Sequence, residues 1–195
     1  MLKKTSVFIL FFVVFHQTCY AQYQNIASRL FLGIHKLDSI VDINNIDTNL
    51  VNLGVLHYTN EYRKKKNKKK LLYNLDSQRS AFLHSKEMKE KNFFDHIYRK
   101  NSSLRDLDDR AKVAEYKNFT ELAENLYYGF IDILDRPTYR ELVKTITQAF
   151  IDSRSHNKNL LDKDLKEMGG SIVFKTSAED GFHYYYFTQS FGSRD

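Results

Sequence analysis

Hydrophobic and polar positions follow two periods along this chain, and the change falls near residue 169. Before it, apolar residues recur every three to four positions, as on the buried face of a helix. Leu50, Leu53, Val55, Leu56 and Tyr58 follow Asp47-Thr48, a plausible helix start, and predict a helix to about Arg63. Asp76 predicts the cap of a second helix, 77 to about 91. Ala81, His84, Ser85 and Met88 fall on one side of it, and Lys86, Glu87, Lys89, Glu90 and Lys91 on the other. His84, on the apolar side, reads as a packed and hydrogen-bonded core histidine. Leu72 to Leu75 reads as a short apolar connector between these helices, and the polar stretch Arg99 to Asp109 as a surface loop. Arg110 to Glu115 reads as a helical turn.

The single proline, Pro137, precedes Thr138-Tyr-Arg-Glu141, a capping box in which threonine and glutamate bond to each other's backbone amides. Leu142, Ile146, Ala149 and Phe150 form one stripe behind it. Ser153 and His156 extend that stripe, so the spacing predicts one helix aiming both at whatever its apolar face covers. After Gly169-Gly170 the pattern shortens. Ser171 to Lys175 and His183 to Phe191 are β-prone runs separated by the turn Ala178-Glu-Asp-Gly181, which predicts a hairpin. Helices first and strands last imply an α+β fold with helices covering a mostly antiparallel sheet.

The first residues bear on location. Lys3 and Lys4, the apolar run Val7 to Phe15, and small Ala21 have the form of a secretory signal peptide over residues 1–21. The run is shorter than the roughly 20 residues of a membrane span, so no transmembrane segment is expected. A lipoprotein reading, with Cys19 acylated, is disfavoured by the polar His16, Gln17 and Thr18 before it. The expected product is secreted or periplasmic. It consists of a lead-in segment, 22–46, with a short helix near Leu30 to Ile40, and one domain, 47–195, expected as a monomer. Cys19 is the single cysteine. After such a cut no disulfide, thiolate nucleophile or cysteine metal ligand is left.

The chain carries a formal charge of +6, concentrated in the run Arg63-Lys-Lys-Lys-Asn-Lys-Lys-Lys70. One reading of this run is a patch for anionic lipid, glycan or nucleic acid; the favoured one is a solvated helix end and loop, where cations also suit the negative end of the helix dipole. The run lacks the interleaved aromatics that stack on bases, so no nucleic-acid partner is expected.

Three short motifs place titratable side chains among apolar ones. They are Phe94-Asp95-His96, Ala123-Glu124-Asn125-Leu126, and Phe150-Ile-Asp-Ser153-Arg-Ser-His156. Two imidazoles and a carboxylate in apolar surroundings are the material of a cleft. The wider pattern resembles the CAP superfamily (the SCP or PR-1-like domain) in its bacterial secreted form. The motifs that carry it are Asn60-Glu-Tyr-Arg63, Ala81-Phe-Leu-His84-Ser85-Lys-Glu-Met88, Asn92-Phe-Phe94-Asp-His96 and Ala123-Glu124-Asn125-Leu126. They continue with Phe150, Ser153, His156, Asn159, Leu160 and Leu161 in register, then Met168-Gly169-Gly170, and finally Gln189-Ser-Phe191-Gly192. Together they cover roughly residues 47–192. Ala123 stands where the family has glycine, Phe150 where it has tryptophan, and Ser153 where the eukaryotic branch has a second glutamate.

The resemblance implies a three-layer α-β-α sandwich, with a mostly antiparallel central sheet flanked by helices. It also implies that His96, Glu124 and His156 converge in a ligand-binding cleft, with Asn125 and Ser153 beside them. An equal reading of Glu124 and Asn125 is structural, as buried polar groups that fix helix to sheet, with Asn125 satisfying backbone groups in a loop. His96, His156 and Glu124 are then candidate ligands for Zn²⁺ or another divalent metal, with Glu124 either a third ligand or an orienting group. The function so implied is a non-catalytic binding module for a divalent metal, a small hydrophobic ligand, a lipid or a cell-surface glycan. The alternative is a metal- or serine-dependent hydrolase, peptidase-like, using His96, Glu124, Ser153 and His156. It would need a hydroxyl within reach of a base and an oxyanion site, and the sequence offers no Gly-rich loop near Ser153.

Overall fold

The computed structural model describes residues 34–100, 102–175 and 180–194. The leader-like residues and most of the lead-in segment lie outside these. The chain divides into two units, 1–35 and 36–195, and the sheet with its covering helices belongs to the second.

Helix α1 spans Thr48–Lys65, and Asp47 caps it by accepting the Leu50 amide. A two-residue strand β1, Leu72–Tyr73, lies within the stretch read as a plain connector. Helix α2, Leu75–Lys91, starts earlier than its pattern predicts, because the Asn74 side chain caps it by accepting the Ser77 amide. Asp76 sits inside the first turn, where a negative charge suits the dipole. Helix α3, Leu107–Val113, is capped by Asp106, so the surface loop is shorter than predicted.

Strand β2, Phe119–Asp132, carries the Ala-Glu-Asn-Leu motif. Asn125 therefore lies in a strand, and fully buried, rather than in a loop. Ala123 in that strand has no positive φ, so a glycine is not needed there. Helix α4, Tyr139–Asp152, opens with the complete Thr138–Glu141 capping box. It stops at Ser153, which has extended dihedrals (φ −85°, ψ 119°), and α5, Arg154–Leu161, begins at once. The single helix predicted through His156 is thus two helices. The Ser153 carbonyl accepts the Asn157 amide, and the Asn157 side chain bonds Tyr62 and the Ile151 carbonyl, which closes the break. Strands β3, Glu167–Phe174, and β4, Phe182–Arg194, form the predicted hairpin.

The sheet order is β1-β3-β4-β2. β1 pairs with β3 in parallel, while β3 with β4 and β4 with β2 are antiparallel. The sheet is thus mixed, with antiparallel pairing predominant. Alternate residues face opposite layers. On one side Gly170 faces Asn52 of α1, and Tyr127 meets Phe150 of α4. On the other, Gly169 abuts α2, and Leu126 and Tyr186 pack with Met88. The layers are therefore α1, α4 and α5, then the sheet, then α2 and α3. Val51, Val55, Val143, Ile146, Phe150 and Phe187 are all buried in the first interface. Residues 36–46 join this unit, with Ile40 bridging Thr138 and the Val41 amide donating to the Pro137 carbonyl.

The second interface is close enough to require Gly169. A Cβ there would lie 2.1 Å from the Gln78 amide nitrogen and 2.6 Å from its Cα.

Candidate functional site

Strand β2 is an edge of the sheet, and the candidate site straddles it. Glu124 points to the α2–α3 side and Asn125 to the α4–α5 side, as strand alternation dictates. His96 arrives on the first side from the loop after α2, and His156 on the second from α5.

Glu124 is the hub. His96 Nδ1 lies 3.0 Å from its Oε1. Arg110 Nη2 donates to both of its oxygens, at 2.9 and 3.0 Å. His84 Nε2 lies 3.7 Å from Oε1 and 3.1 Å from the Asp95 carbonyl. Arg110 is fully buried in helix α3, and it also donates to the carbonyls of His96 and Leu104. One guanidinium thus neutralises the carboxylate and positions the loop that presents His96 to it. A buried charge requires such pairing.

Burial pushes the Glu124 carboxyl up, but the His96 bond and the charges of His84, Arg110 and His96 outweigh it, so the pKa lies below the ordinary glutamate value. Burial dominates at His84 and lowers its pKa to about 4, so its imidazole is neutral. His84 is then the Nε2–H tautomer facing the Asp95 carbonyl, and its buried Nδ1 has no partner among the described residues. His96, in contrast, is half exposed, with 52% of its side chain accessible. Its Nδ1 is engaged with the carboxylate, so Nε2 is the ring nitrogen available to a ligand.

On the other side of β2, His156 is half-buried with its ring edge-on to Phe150, centroids 5.2 Å apart. Burial, then the charge of His96, lowers its pKa. Among the described residues its ring nitrogens make no hydrogen bond; its backbone carbonyl accepts from Asn125 Nδ2. Asn125 also donates to Gln189 and accepts from Asn159, which in turn donates to the Glu124 carbonyl. This amide network ties α5 to the edge strand.

Ser153 lies at the α4–α5 junction, and its hydroxyl partner is Ser155 Oγ at 3.3 Å, not His156. The helix break is the reason, since it separates two residues that one continuous helix would have stacked.

Ligand atoms of His96, Glu124 and His156 do not gather into one cluster within 4.8 Å. Among the described residues the group that does so is Glu121, Asp162 and Asp164, which the sequence motifs do not mark. The motifs also pass over Arg110, and they leave His84 outside the site. Nothing in the pattern around Arg110 distinguishes it from a surface arginine, because its partner lies on another element.

Beyond Glu124, the same face of the sheet carries a row of rings. Phe94 meets Tyr128 at 6.0 Å, Tyr128 stacks on Tyr184 at 5.6 Å, and Phe130 lies 4.9 Å from Phe182. Phe130 is 60% exposed. Farther along the strands helices cover both faces, and Tyr185, Tyr186, Phe187 and Phe191 are all buried.

The family model described as CAP, the cysteine-rich secretory protein family, matches residues 56–191. The chain belongs to the CAP family. The uncharacterized membrane protein YlbC of Bacillus subtilis (strain 168) is 29% identical over 140 residues, which are 72% of this chain and 34% of that protein. An extracellular protein containing an SCP domain from Bacillus anthracis matches in structure with a TM-score of 0.57 at 24% identity, over 76% of this chain and 41% of that one. An outer surface protein of Borrelia burgdorferi matches with a TM-score of 0.53 at 20% identity, over 72% of this chain and 90% of that one. The CAP chain spans about a third of the curated relative's length. Among its described residues no helix is long and apolar enough to cross a membrane.

Proposed function

We propose that the protein is a non-catalytic binding module, with a small hydrophobic ligand lying along Phe94, Tyr128, Tyr184 and Phe130 and reaching His96. The observation that carries this reading is how Glu124 is engaged. Arg110 takes both of its oxygens and His96 a further place, so the carboxylate itself is not left poised over a substrate. Ser153 faces Ser155, so the nucleophile–base contact that a serine hydrolase needs is missing. An imidazole edge beside exposed ring faces stays open to solvent, which suits binding. The leader-like residues 1–21, with the extracellular and outer-surface descriptions of the two similar structures, support a place outside the cytoplasm.

Titration of the full chain with a fluorescent fatty acid tests this reading. Saturable binding is expected, weakened at least about tenfold in Tyr128→Ala/Phe130→Ala by the loss of two ring contacts. No binding, or equal binding by a folded variant, overturns it.

A second reading rests on the two imidazoles. A carboxylate behind Nδ1 is the usual arrangement of a metal-binding histidine, so Glu124 fits the orienting role better than the ligand role. His96 Nε2 and the His156 ring would be the ligands. Two protein ligands fall short of the three or four of a typical zinc site, so the residues present do not by themselves complete one. Calorimetric titration with Zn²⁺, beside His96→Ala/His156→Ala, decides it. Stoichiometric heat lost in the variant supports a metal site, and absence of heat removes it.

A further inference from the structure

A second region combines shape with uncompensated charge. A groove of about 530 Å³ is lined by Lys68 of the α1–β1 loop, Arg154 and Lys158 of α5, and the following Asp162, Lys163 and Asp164. A further concavity shares Arg154 and Lys158 and adds Ser155, so the surface continues as a track. Among the described residues none of the four cations makes an ion pair.

The lysine run is also held in place. Arg63, fully buried at the end of α1, donates through Nε to the Lys69 carbonyl and through Nη1 to the carbonyls of Leu160 and Asp162. The Lys68 amide returns to the Arg63 carbonyl, and Asn60 bonds both the amide and the carbonyl of Leu71. One buried guanidinium thus fastens the lysine loop to the end of α5, and two basic segments distant in sequence form one wall.

Solvation of a helix end explains only part of this. Lys64 and Lys65 lie in the last turn of α1, where the dipole favours cations. Arg154 is the first residue of α5, where the dipole disfavours a cation. No acidic residue lies in that turn, and Ser153 supplies no side-chain cap bond. The positive end of α5 is reinforced instead of neutralised. Asp162 and Asp164 are the opposing charges. They gather with Glu121 within 4.8 Å, and one Asp162 oxygen accepts the Asp164 amide. Four cations against the two lining carboxylates and the adjoining Glu121 leave the groove positive by one formal charge, and the neighbouring lysines of 64–70 add to its field.

We propose that this groove binds a linear polyanion bearing phosphate groups. Among the described residues no aromatic ring lines it, so it suits neither stacked bases nor an acyl chain. Lysine ammonium groups act as point charges on phosphate oxygens and need no planar, bidentate partner. The shared track is longer than one anion requires, which favours a chain over a single phosphate.

The test is calorimetric titration of the full chain with long-chain inorganic polyphosphate at several salt concentrations. The expected log–log salt slope is about −2 to −4, from three to five neutralised phosphates. Lys68→Gln/Arg154→Gln/Lys158→Gln should weaken binding at least about tenfold and flatten that slope by about two. Lys86→Gln/Lys112→Gln/Lys117→Gln removes the same charge elsewhere and should stay within about threefold of the unaltered protein. Circular dichroism confirms that both variants fold. No binding overturns the proposal. Equal loss in both variants overturns the groove, since net charge alone would then explain the affinity. Equal displacement by polygalacturonate overturns the phosphate assignment.

Discussion

Arg110 is buried with its guanidinium on Glu124, and each charge is tolerable there only while the other is present. Replacing Arg110 with methionine keeps the bulk but strands the carboxylate, which should cost about 3–5 kcal/mol in urea unfolding. His84 makes the same neighbourhood pH-sensitive. Its folded pKa of about 4 lies below the ordinary histidine value of 6.5, so between these values the unfolded chain takes up a proton that the folded chain refuses. Stability from this group is complete above about pH 6.5 and falls by about 3 kcal/mol on the way to pH 4. Glu124, also held below its ordinary value, adds a further loss as the pH drops through its folded pKa. Urea midpoints should therefore be level near neutrality and decline below pH 6.5, with His84→Gln flattening the upper part of the decline. His96 and Glu124 are marked in the sequence by apolar neighbours, and they do meet. Arg110 carries no such mark, because charged helix residues are ordinarily solvated and only the tertiary fold brings a carboxylate to it.

At the scale of elements, the start of α4 is legible in local chemistry and its end is not. Thr138 and Glu141 form the capping box that their spacing announces. Thr138→Ala should cost about 1 kcal/mol in thermal or urea unfolding, because an amide of the first turn loses its acceptor. The end of α4 is not legible in this way. The stripe through Leu142, Ile146 and Phe150 runs on past Ser153 with no glycine or proline to interrupt it. The break instead rests on the contact between Asn157 and Tyr62, 95 residues away in sequence. Gly169 depends on a tertiary contact of the same kind. Gly169→Ala would drive a methyl into the α2 backbone at Gln78. Such overpacking typically costs about 1–3 kcal/mol, and more where backbone must move. Loss of cooperative unfolding or a sharply lowered midpoint is expected, and an unchanged midpoint would show that α2 can shift away.

For the whole molecule, the family's description as cysteine-rich does not extend to this chain. Its one cysteine, Cys19, precedes the matched residues 56–191. The domain is held by two packed interfaces and by the side-chain bonds that cross the sheet edge. Its thermal midpoint should be the same with and without dithiothreitol, where a disulfide-stapled relative of similar size would lose about 2–5 kcal/mol. The lysine loop carries a last consequence, for proteolysis. Six lysines within residues 64–70 read as the most cleavable stretch of the chain. Trypsin, however, needs several consecutive residues drawn out into its cleft, and here the carbonyl of Lys69 and the backbone of Leu71 are bonded to Arg63 and Asn60. The folded protein should shield this stretch, so that nicking between residues 64 and 70 becomes a clock for opening of the domain.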